Sequence, residues 1–174
     1  MSFTIYEASA PVFTAALRNM ERWLEKALGE GNDQATLVEA RLAPDMRPFS
    51  AQIQMSSDTA KNAVARLACV AAPSMPDTET TFGELKVRCQ RTIEFIQSID
   101  RSAFEGAEDR QVVLKFPNGS GYEFAGRDYL TSFALPNFFF HITTAYALLR
   151  ANGVSLGKPD FLQHLGPPNI NAAA

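Results

Sequence analysis

The chain has 174 residues, 46% of them hydrophobic and 20% charged, which suits one core of ordinary size and excludes a disordered or fibrous chain. A formal net charge of -3 argues against nucleic acid or an anionic membrane as the main partner, because phosphate recognition needs a basic face. Cys69 and Cys89 form no CxxC and no disulfide framework. They read as thiols of a reducing compartment, and the N-terminus lacks the basic start and apolar run of a secretory signal, so the expected location is cytoplasmic.

In chain order, the first helix is predicted over residues 11–28. Phe13, Ala16, Met20, Trp23 and Ala27 recur at steps of three and four, Pro11 suits a first turn, and Gly29 and Gly31 follow. Residues 34–41 add a short helical segment before Pro44 and Pro48. A second long helix starts at Pro48 with Phe49, Ile53, Ala60, Val64, Leu67 and Ala71 on one stripe, and Pro73 and Pro76 stop it. A third follows Thr81, which forms a capping box with Glu84, and carries Phe82, Leu85, Cys89, Thr92, Ile96 and Ile99 in a strict alternation of steps.

Residues 112–116 and 122–124 are β-prone and flank Pro117-Asn118-Gly119-Ser120-Gly121, which predicts a small hairpin. The last helix is predicted over residues 128–152, bent near Pro136 and closed by Gly153. Residues 129–149 hold no charge, yet Pro136, Asn137, His141 and several hydroxyls make a buried core helix cheaper than a membrane span. That helix should be the most buried of the four, or its surplus apolar face should meet a second subunit. The remainder, residues 154–174, reads as a surface-hugging tail with a frayed end. The expectation is one helical domain, residues 1–165, followed by a tail over 166–174: an all-α four-helix bundle with a hairpin before its last helix.

Common catalytic signatures are absent. The run Gly153-Val154-Ser155-Leu156-Gly157-Lys158 is one residue short of a phosphate loop and trails a helix, and Asn118-Gly119-Ser120 is explained by its turn. Asn137 and His141 are four apart on the most apolar helix, so they share a face and need partners. With the second and last long helices taken as parallel in an up-down-up-down bundle, Gln52 and Ser56 fall in the same layer, and Gln52, Ser56, Asn137 and His141 become a candidate pocket. An equal alternative has Asn137 satisfying carbonyls freed at the Pro136 kink, and Asp58 with Lys61 reads as a solvated surface pair. Arg150, Lys158 and His164 read as terminal charges and a weak ligand candidate.

A resemblance adds to this reading. Pro136-Asn-Phe-Phe-Phe-His-Ile-Thr-Thr-Ala-Tyr-Ala-Leu-Leu-Arg150, with Asn152-Gly-Val-Ser-Leu-Gly-Lys-Pro-Asp160, resembles the C-terminal signature of a DinB-like (DinB/YfiT-like) family of unknown function. Arg41-Leu-Ala-Pro-Asp-Met46, Gln52-Ile-Gln54, Asp58-Thr-Ala-Lys61 and Asp77-Thr-Glu-Thr-Thr81 are similar to its central motifs. The resemblance implies a helix bundle whose better-known relatives bind a divalent metal, often through three histidines, and include thiol-dependent transferases and isomerases. It places the late pair of ligands on Asn137 and His141 and leaves Gln52, Ser56 or Asp58 for the third. Amide and hydroxyl oxygens are poor replacements for imidazole, so no bound metal is expected; any weak site would use His141, Asn137 and Asp58. The first reading is therefore a small-ligand-binding or stress-related accessory protein with a degenerate metal site. A metal-dependent transferase or isomerase-like enzyme, and a structural homodimer, are the alternatives.

Overall fold

The protein is described by a computed structural model over residues 3–170. Helix α1 (Ile5–Gly29) begins earlier than the sequence reading, six residues ahead of Pro11. Thr4 caps it and Glu7 returns a bond to the Thr4 backbone, a capping box equivalent to the one Thr81 and Glu84 form at the start of α4 (Phe82–Ser98). Pro11 thus lies inside the helix. Between them, α2 (Gln34–Glu39) is capped by Asp33, and α3 (Phe49–Ala68) follows Pro48. α3 ends at Ala68 rather than at the prolines, because Cys69 turns the backbone left-handed at φ 55°.

After α4 come a 3-10 turn (Arg101–Phe104) and an antiparallel hairpin, β1 (Gln111–Lys115) with β2 (Gly121–Ala125), Val113 opposite Glu123. Asn118 Oδ1 accepts from the Ser120 backbone at 3.1 Å and its hydroxyl at 2.7 Å, and Gly119 supplies φ +84°, so the tripeptide is a turn. The last helical run begins sooner than predicted, with α5 (Gly126–Asp128), where a Cβ on Gly126 would strike the Ala107 carbonyl. It continues as a π-helical stretch (Tyr129–Ala134) into α6 (Leu135–Ala151). The Leu135 N–H reaches back five residues to Leu130, immediately ahead of Pro136, which has no N–H to give. Widening the turn there accommodates the proline.

Helix directions follow from the pairs that meet. Glu25 bonds Lys86 near the start of α4 and Glu7 bonds Arg101 beyond its end, so α1 and α4 are antiparallel. Phe49 packs on Phe82 and Ser57 bonds Thr92, so α3 and α4 run parallel. Phe13 meets Phe138 and Trp23 meets Tyr146, so α1 and α6 are parallel as well. Arg66 pairs with Tyr129, Thr59 with Asn137 and Gln52 with His141, which makes α3 and α6 antiparallel, contrary to the parallel arrangement expected. The bundle is up-down-down-up. Residues 69–81, extended, span on the order of 40 Å and so return the chain along a helix of about 30 Å.

That crossover is fastened by buried charge. Arg88, 2% exposed, binds Glu79 at 3.0 Å, Asp58 at 2.9 Å and Asp77 at 3.0 Å, and also donates to the Pro76 carbonyl. Lys61, 5% exposed, holds Asp58 and the Pro73 carbonyl, each at 3.0 Å. The Asp58–Lys61 pair is therefore not an isolated surface pair: Asp58, its side chain 36% exposed, joins two buried cations.

The most buried long helix is α3, which lies against α1, α4, α6 and the crossover, and not the last one. Residues 158–165 hug the surface and are themselves folded: α7 (Lys158–Phe161) and a 3-10 turn (Gln163–Leu165) lie back on α1, where Trp23 Nε1 donates to the Asp160 carbonyl and Lys26 binds Asp160 at 3.1 Å. The end of the tail expected to fray, residues 171–174, lies outside the described residues. Among the described residues, no helix is long and apolar enough to cross a membrane.

Candidate functional site

Gln52 sits in the first turn of α3, where Pro48 offers no side-chain cap. Its Nε2 folds back to the Arg47 carbonyl at 3.0 Å, which turns Oε1 toward α6. There His141, 5% exposed, donates from Nδ1 to Oε1 at 2.8 Å. The bond selects the Nδ1–H tautomer of the neutral ring and leaves Nε2 with its lone pair. Burial pushes the His141 pKa below its ordinary 6.5, since a charged imidazolium would lose hydration among Phe138, Phe140 and Ile142.

Asn137, one turn before His141, does not serve the Pro136 kink. Its Nδ2 donates to Thr59 Oγ1 at 2.7 Å, and the Thr59 hydroxyl donates onward to the Met55 carbonyl at 2.7 Å. Ser56 does not join a pocket: it is wholly buried and its hydroxyl donates to the Ile53 carbonyl at 2.9 Å. Asp58 is committed to Lys61 and Arg88 on the α4 side. Of the residues singled out from sequence, Gln52 and His141 meet directly, Asn137 bonds to Thr59 and lines one groove together with Asp58, and Ser56 is engaged elsewhere.

Asn137 opens onto a groove of about 300 Å³ between α3, the hairpin and the last helical run. Asn62, Arg66, Phe116 and Phe133 line it, and Arg66 donates to the Tyr129 hydroxyl at 3.1 Å while lying 5.9 Å over its ring. Thr59, Asn62 and Arg66 escape the sequence reading. Their signal is the 4-3-4 spacing of Met55, Thr59, Asn62 and Arg66, a second stripe on α3 beside the apolar one. The groove sets the rings of Phe116, Tyr129 and Phe133 against convergent polar groups, Asp58 and Lys115 among them, so a small molecule there would meet polar contacts as much as apolar ones.

The same geometry tests the metal implied by the resemblance. Its positions hold one imidazole, the Asn137 amide and one of Gln52, Ser56 or Asp58; the Gln52 oxygen accepts the His141 proton, the Ser56 hydroxyl donates to the Ile53 carbonyl and Asp58 is paired with Lys61 and Arg88, which leaves His141 Nε2 and Asn137 Oδ1 uncommitted. Among the described residues, no group of three or more His, Cys, Asp or Glu side chains is placed to hold an ion. One imidazole nitrogen with one carboxamide oxygen, the nearest carboxylate being held by two cations, does not fit a divalent transition metal.

Comparison with known proteins agrees with the architecture. The model of a family described as Domain of unknown function (DUF1993) matches residues 5–162. The crystal structure of a DinB family member from Shewanella denitrificans is similar over 97% of this chain and 96% of that one, with 32% sequence identity and a TM-score of 0.84. No curated protein matches.

Proposed function

We propose, for a chain that belongs to the DUF1993 family and has the DinB-like bundle fold, the role of a small-ligand-binding or stress-related accessory protein whose metal positions have become a hydrogen-bonded polar layer. The observation that carries this reading is the chain Arg47 carbonyl, Gln52 amide, His141 imidazole, in which each donor finds an acceptor without an ion. Beside it, the Thr59–Asn137 pair and Arg66 give the adjoining groove its polar anchors. A metal-dependent transferase or isomerase-like enzyme would start from His141 Nε2 and Asn137 Oδ1, with Asp58 held by Lys61 and Arg88.

A fragment screen read by nitrogen–proton correlation spectra tests the proposal. Binders are expected to shift the side-chain amides of Asn62 and Asn137 and the Arg66 guanidinium, and to lose affinity in Asn137→Ala. A screen in which no compound moves those signals overturns it.

A further inference from the structure

A second pair of cavities lies on the other flank of α6, along α1. One, of about 330 Å³, is apolar and is walled by Val12, Trp23, Phe139, Ile142 and Phe161. The other, of about 410 Å³, is polar and carries Tyr6, Thr14, Arg18, Arg22 and Gln97. Pro11, Ala15 and His164 line both, so the two abut as one trough with an apolar end and a cationic end.

The cationic end keeps its two guanidiniums out of ion pairs. Arg18 and Arg22 stand one turn apart on α1, and among the described residues neither forms an ion pair; Arg22 reaches only Asn19 Oδ1, at 3.5 Å. Of the acids nearby, Glu7 is paired with Arg101, Glu25 with Lys86 and Asp160 with Lys26, while Glu21 lies close enough to Arg18 to feel its charge without forming an ion pair. At the junction, Asn19 Nδ2 donates to the Phe161 carbonyl at 2.8 Å and to His164 Nδ1 at 3.0 Å. That assigns His164 the Nε2–H tautomer, a further donor beside the arginines.

We infer that this trough binds a small organic anion with an aromatic body, an aryl alkanoate, its ring against Trp23, Phe139 and Phe161 and its carboxylate toward Arg18 and Arg22. Aromatic walls favour a ring in edge or offset contact. Two guanidiniums one turn apart suit a carboxylate, which accepts forked charge-assisted bonds. The inference is independent of the Gln52–His141 layer, whose residues line neither cavity.

Trp23 is the single tryptophan, so its emission reports occupancy directly. Titration with 4-phenylbutyrate is expected to change that emission saturably, with the uncharged 4-phenylbutyramide about tenfold weaker or worse. In the Arg18→Gln/Arg22→Gln double variant, both exposed positions, the acid should fall to the affinity of the amide. Ala15→Leu, which fills the waist while keeping the charges, should abolish both responses. No saturable change at millimolar acid, equal binding of acid and amide, or binding that survives Ala15→Leu would each overturn the inference.

Discussion

His141 is neutral at pH 7 because burial opposes its charge and Gln52 accepts from the one nitrogen that carries a proton. Since its folded pKa lies below 6.5, the unfolded chain takes up a proton between those two values that the folded chain does not. The stability it contributes is present above pH 6.5 and lost as the pH falls through the folded value. Thermal melts should therefore show the midpoint falling on acidification below pH 6.5, with a slope no steeper than ~1.4 kcal/mol per pH unit from this residue, and a weaker dependence in His141→Gln. Removing the donor altogether, in His141→Ala, is expected to cost ~1 to 3 kcal/mol in a denaturant titration, as Gln52 Oε1 loses its partner. The Asn137–His141 spacing was legible because two polar residues four apart on an apolar helix must find partners. Ser56 was not separable from a pocket residue, since its bond to the Ile53 carbonyl is local to its own helix and leaves no mark on the residue pattern.

Helix ends follow local chemistry, and the local chemistry sometimes competes. Thr4 and Glu7 have the same spacing as Thr81 and Glu84, yet Pro11 draws the sequence reading to a later start, because a proline at the seventh position of a helix is rarer than one in its first turn. The N-terminal box outweighs the single hydrogen bond that Pro11 removes. Thr81→Ala should lower stability by about 1 kcal/mol in the same titration, through loss of its bond to the Glu84 N–H. The crossover, residues 69–81, has no periodic signal and its attachment is a matter of tertiary charge. Arg88→Met leaves Glu79, 13% exposed, without its cation and is expected to cost ~3 kcal/mol, with amide exchange rising first in residues 73–79. Unchanged exchange there would mean that the charge network does not fasten the segment.

The bundle was legible from four apolar stripes and a turn-rich hairpin, but helix direction was not, since an amphipathic stripe reads the same whichever way its helix points. The information lay in loop length: residues 69–81 are long enough to return the chain past a whole helix, and two sequential helices joined that way run parallel. The surplus apolar face of the last helix is taken up largely within the chain, with Phe138, Ile142, Ala145, Leu148 and Leu149 buried and Phe140, 55% exposed, as the large apolar residue of α6 left outward. A homodimer would centre there, and Phe140→Ser should shift sedimentation at micromolar concentration toward the monomer; a wild type that is already monomeric contradicts the dimer. The central claim concerns what the Gln52–Asn137–His141 layer holds. Metal content of protein purified without a histidine tag and dialysed against zinc or nickel, in wild type and His141→Ala side by side, tests it most directly. The account predicts no stoichiometric metal in either, whereas one ion per chain in the wild type that disappears in the variant would contradict it.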